Sequence, residues 1–160
     1  MKSIFISVFF FVLTSMQVQA ASAFHPLKVN VWDVDANNAL ELPAGTLVHL
    51  EMTELVESGK ATVGQIVNFR VRTNVEIDGV PVIRTGAMAF GRVKAIEPTS
   101  FNYPEEITIE VTAAQSVDGT MVSLLGQEQI FKGKFPNEDV TVQSGKPFIG
   151  FVMNNTNIKI

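Results

Sequence analysis

Any chemistry in this 160-residue chain has to be made from carboxylates, hydroxyls, amides and two imidazoles, because cysteine is absent and His25 and His49 are the only histidines. A Ser-His-Asp set needs a histidine held between a nucleophile and an acid. His25 falls where the folded part is expected to begin, which leaves His49 alone for that role. No Gly-x-Ser-x-Gly elbow occurs. Gly59-Lys60, Gly133-Lys134 and Gly145-Lys146 lack both the upstream glycine and the following Ser or Thr of a phosphate-binding loop. Glu51 with Glu54, and Glu105, Glu106 and Glu110, could in principle supply paired carboxylates. Acids on strand faces are usually solvated, so no catalytic residue is assigned and the expectation is a protein that is not an enzyme.

Metal chemistry has two openings. Asp33, Asp35 and Asn37 copy the spacing of the first half of a calcium loop, but Asn38 stands where the bend needs Gly and Ala44 where a bidentate Glu belongs. A solvated turn is therefore preferred, with calcium kept as the alternative cofactor. His49 and Glu51, two apart on a strand, share a face but lack a third ligand nearby in sequence. For binding without chemistry the candidates are aromatic: Trp32 on the wetter side of a strand, and Phe101 and Tyr103 in a loop with two prolines. These three are the candidate contacts for a partner, a glycan or a small ligand.

The elements that would position such residues are strands. In residues 65–96, Val67, Phe69 and Val71 alternate with Asn68, Arg70 and Arg72, and the turns Asp78-Gly79 and Thr85-Gly86 divide the stretch. Ala87, Ala89, Gly91, Val93 and Ala95 put small residues on one face, opposite Met88, Phe90 and Ile96, and Gly91 in mid-strand predicts a bend or bulge of the kind a closed barrel needs. Further strands are read at residues 27–34, 46–52, 106–117, 120–125, 140–142 and 148–153, with a second hairpin at Asp118-Gly119. Residues 54–64 and 126–139 read as irregular. The alternating end of the chain, Asn157-Ile158-Lys159-Ile160, either pairs as an edge strand or waits for another chain, so self-association through it is an expectation. The fold class is all-β: a single antiparallel barrel or barrel-like sandwich of about seven to nine strands, preceded by a signal peptide helix.

Residues 1–20 have the parts of a secretory leader: Lys2, an apolar run from Ile4 to Leu13, and Ala20 at the exit. The apolar run is about half of what spans a bilayer, so no stable membrane insertion is expected. Residues 21–160 are read as one domain, exported to the periplasm, the cell surface or the extracellular space. The chain carries a formal charge of −4, one unit more negative once Lys2 is gone, and offers no basic footprint for nucleic acid.

The order Pro43-Ala44-Gly45-Thr46, Val63-Gly64-Gln65, Ile83-x-x-Gly86 and Val117-Asp118-Gly119-Thr120, each set before or between strands, resembles a group of small exported bacterial β-barrel proteins of unassigned function. More distantly it is similar to the C-terminal barrel of the channel subunit of conjugation and type IV secretion systems. The likeness covers residues 42–125, with a further match at 145–152; this chain lacks that subunit's helical hairpin and transmembrane part. The resemblance implies a compact barrel in the cell envelope with a role in assembly or in binding an envelope or extracellular protein, and supplies no catalytic residue. Binding of a glycan or small ligand at a barrel mouth is the alternative.

Overall fold

A computed structural model of the chain describes residues 38–99, 103–136 and 138–160. The expected signal peptide helix and the strand expected at residues 27–34 lie outside the described residues. What is described is all-β, without a helix.

Six strands close an antiparallel barrel by following one another around it. They are β2 (Leu47–Met52), β4 (Ile66–Val71), β7 (Met88–Glu97), β8 (Glu106–Gln115), β9 (Met121–Gly126) and β12 (Pro147–Val152), and β12 returns to β2. The period-2 pattern decides which side faces in. Val48, Leu50 and Met52, then Val67, Phe69 and Val71, then Ala89 and Val93, then Ile107, Ile109 and Val111 are all buried. Val122, Leu124, Phe148 and Val152 complete the lining, and Phe148 meets Phe69 edge-on at 4.9 Å between ring centres. Side chains fill the interior, as in other small barrels.

Bulges bend the sheet enough to close it. Strand β7 shifts register against β8 between Phe90 and Gly91 and again between Val93 and Ala95. A side chain on Gly91 would drive into the Glu110 carbonyl and the Phe69 ring, so glycine here is a requirement of close approach. The expected Asp-Gly hairpin is present: β5 (Val75–Ile77) turns into β6 (Val80–Ile83) through Asp78 and Gly79, both at positive φ. That is the two-residue turn whose twist suits a hairpin.

Seven short strands serve the barrel's ends, so the described residues form thirteen strand segments, above the seven to nine expected. One end is stopped by the β5–β6 hairpin and by β1 (Ala39–Leu42) paired with β13 (Thr156–Lys159), which together bury Leu42, Val75, Val82, Ile83 and Ile158. Thus the alternating tail finds its strand partner within the chain, in residues the sequence reading placed in a turn region. The other end is stopped by β3 (Val56–Glu57) paired with β11 (Thr141–Val142), and by β10 (Gln129–Lys132) alongside β8. Val56, Val140 and Val142 are buried there, and Phe131 packs toward Phe148. Strands β10 and β3 fall in stretches expected to be irregular, because two to four residues are too few to show a period.

Candidate functional site

Of the residues singled out by type, Trp32, Asp33, Asp35, Asn37 and Phe101 lie outside the described residues. Tyr103 is 70% exposed in the loop between β7 and β8, and its carbonyl accepts the Thr99 hydroxyl at 3.0 Å. The ring stands clear of the filled interior. His49 and Glu51 do share the outer face of β2, but Glu51 is taken by Arg70 and Arg72 of the neighbouring wall. Among the described residues no three His, Asp or Glu side chains converge as a metal site would need.

Among the described residues two serine-carboxylate pairs occur, and both hold backbone in place. Ser58, buried beside β3, donates to Glu105 Oε2 at 2.5 Å and accepts the Val140 N–H at 2.7 Å, tying the end cap to the start of β8. Ser116 donates to Asp118 Oδ1 at 2.5 Å, while the other oxygen, Oδ2, accepts the Lys159 N–H at 2.9 Å. The Ser116 hydroxyl is the main reason the Asp118 carboxyl sits well below the usual carboxylate range, with the Lys159 and Thr120 amides adding to it. His49 belongs to neither pair. Each serine is thus spent on structure, with no base placed to make it a nucleophile.

The outer surface of the barrel divides into two walls. On β4, β7 and β8 the outward positions carry charges that meet across strands: Arg92 pairs with Glu110 at 2.6 Å, Lys94 reaches both Glu110 and Glu128, and Lys132 pairs with Glu106 at 2.7 Å. The hydrogen bond to Glu128 is the chief reason Lys94 holds its proton more tightly than a free lysine. Exposed apolar residues on this wall stand opposite arginines, Ile66 facing Arg92 and Met88 facing Arg70, whose aliphatic stems can lie over them.

On β12 the outward positions are apolar, and at one level of the wall so are their neighbours on β9 and β2, while Glu51 further along β2 turns to the arginines of β4. Phe151 stands directly between Leu125 on β9 and Leu47 on β12's other neighbour, β2. Leu125 is 63% exposed, and Leu47 and Phe151 are each 40% exposed. Ile149 lies two residues along β12 opposite His49, and Met153 follows at the strand's other end. Antiparallel neighbours like these form one continuous row on a sheet. No charged residue interrupts it: Ser123, Leu125 and Gln127 on one side and Leu47 and His49 on the other flank Phe151 and Ile149.

Sequence reasoning passed over this row, although a signal was present. Residues 148–153 read Phe-Ile-Gly-Phe-Val-Met, an apolar run without one polar residue at an outward or an inward position. Such a run means both faces of the strand are apolar, and one of them here faces outward. Set against known proteins, the chain matches no family model and no curated protein sequence.

Proposed function

We propose that the protein is a non-enzymatic β-barrel module that works by binding another protein, and that it docks through the wall formed by β9, β12 and β2. The observation that carries this reading is the uncharged row of Leu47, Phe151 and Leu125, exposed across three adjacent strands. Single apolar residues on a surface need no explanation, but a contiguous rimmed patch is what a protein interface leaves uncovered. The counter-surface has to match it in lacking charge, since a buried unpaired charge against this row would be costly. A leader-like segment at residues 1–20 supports an exported, envelope or extracellular address for this binding. The likeness to small exported barrels supports an assembly role there.

The test compares Phe151→Ser with Met88→Ser, one substitution on each wall, in a native pull-down followed by light scattering of the purified protein. Phe151→Ser should abolish retention of the partner that the unaltered protein retains, or of a second copy if that is the partner, while Met88→Ser keeps it. Equal behaviour of the two variants would refute docking by this wall. A second reading, sugar or small-ligand contact, rests on the exposed Tyr103 ring and concerns the end loop, since the barrel interior is occupied by side chains.

A further inference from the structure

The barrel wall forks near one end, and the fork leaves a strand edge open. Up to Gln127 the chain runs along β12, and the Gln127 N–H donates to the Ile149 carbonyl at 3.0 Å. Beyond it the chain swings onto β8 as β10, with Gln129 opposite Ile109 and Phe131 opposite Ile107. Gly133 N–H donates to the Glu105 carbonyl at 2.9 Å, which fixes the alternation. Residues 129, 131 and 133 turn their backbone groups toward β8, so Ile130 and Lys132 turn theirs away from it. Where β12 would have met them stands Pro147, which has no N–H. Its carbonyl is taken by the Gln129 side-chain amide at 2.8 Å, in place of a ladder bond. Two N–H and two carbonyl groups on β10 therefore face away from every strand among the described residues.

Beyond that edge lies a cleft of about 250 Å³, lined among others by Phe131, Lys134, Glu138, Val140 and Lys146. Its charges are unevenly committed. Lys132 is paired with Glu106. Glu138 Oε2 accepts the backbone N–H groups of Lys134 and Phe135, each at 3.2 Å. Asp139 lies against Gly59. Lys134 and Lys146 are both exposed and form no ion pair among the described residues. Ile130, 56% exposed on the outer side of the same strand, supplies an apolar contact beside the free backbone groups.

We infer that β10 is an acceptor for strand addition: an extended segment of another protein, bearing a carboxylate, pairs with Ile130 and Lys132 while its carboxylate is held by Lys134 and Lys146. Backbone bonds to a sheet edge give such a contact its affinity, and pockets beside the edge give it selectivity. A four-residue edge offers only a short ladder, so the charge contact is needed for a measurable complex. This edge is separate from the apolar wall, and either can fail without the other.

The experiment uses the full chain and a displayed library of random seven-residue peptides, with recovered peptides resynthesised for titration. Recovered sequences should carry Asp, Glu or a free C-terminal carboxylate next to β-branched residues. On binding, the Ile130 and Lys132 amides should become protected in residue-resolved hydrogen exchange. Lys134→Glu combined with Lys146→Glu, both exposed and so neutral for folding, should weaken binding about tenfold or more, as loss of a charged hydrogen bond does. Phe151→Ser should leave peptide affinity unchanged. Failure to recover any such peptide, binding that leaves both amides unprotected, or affinity indifferent to charge reversal would each overturn the inference.

Discussion

The two walls of the barrel differ in what occupies the outward positions, and the first alone carries the bulges of β7. On the β4–β7–β8 wall each exposed apolar residue sits opposite an arginine, and acids such as Glu110 take two cations at once. On the β9–β12–β2 wall Phe151 has a leucine on either side. Both walls lie over equally well buried interiors, so folding does not require the second to be apolar. The difference teaches that the apolar wall is surplus to the core, and the docking proposed for it rests on that surplus.

The sharpest way to break this comparison is on a single strand. Phe148 and Phe151 belong to β12 but face opposite ways, the first buried and the second exposed. Phe148→Ala should cost about 3–5 kcal/mol in urea unfolding, as emptying a packed aromatic site does. Phe151→Ala should stay within about 0.5 kcal/mol. If the Phe151 variant is instead strongly destabilised, its ring is part of the core and the docking reading loses its basis.

Next in size is the close approach that bends the ion-paired wall. Gly91→Ala should destabilise by about 1–3 kcal/mol, because its new methyl group meets backbone of β8 that cannot move aside cheaply. An unchanged unfolding midpoint would mean that the two walls need no bulge to close. Glu110→Gln should then have a smaller effect, under about 1 kcal/mol, since its partners Arg92 and Lys94 are largely solvated. That difference should shrink further in high salt, which screens exposed pairs; persistence at 1 M salt would count against the pairing.

The smallest effect concerns the β1–β13 strap, whose strands lead into Leu47 and out of Met153. Asp118 has a lowered carboxyl pKa in the folded protein, so its contribution is present above the ordinary carboxylate value and fades as pH falls through the lowered one. Asp118→Asn should therefore speed hydrogen exchange at the Lys159 amide at neutral pH, with little change in global stability. In the unaltered protein the same amide should stay protected at pH 5 and loosen only in strong acid. Loss of protection already at pH 5 would place the cause elsewhere.

Much of the barrel was legible because its inward positions obey a strict period. Val67, Phe69 and Val71, or Ile107, Ile109 and Val111, cannot be read another way once their polar neighbours are seen. Gly91 and the Asp78-Gly79 pair announced the bulge and the hairpin by residue type alone. Other parts of the end caps were hidden, since Val56 sits in a strand of two residues and the β1–β13 pairing joins segments more than a hundred residues apart. The candidate wall was hidden for another reason: one outward apolar residue means nothing, and only the register puts Leu47, Phe151 and Leu125 in line. Tyr103 was visible by type, but its exposure was decided by the loop.

The strap also determines where the folded unit can be opened. The Ile160 N–H donates to the Asn38 carbonyl at 2.9 Å, so the two extremities of the described chain are stitched side by side. A short Gly-Ser bridge between them, with new termini cut at Asp78-Gly79, would give a rearranged gene whose product retains every barrel strand in its original neighbourhood. Groups attached at Asn38 and at Ile160 would stand side by side at the end of the barrel opposite β10.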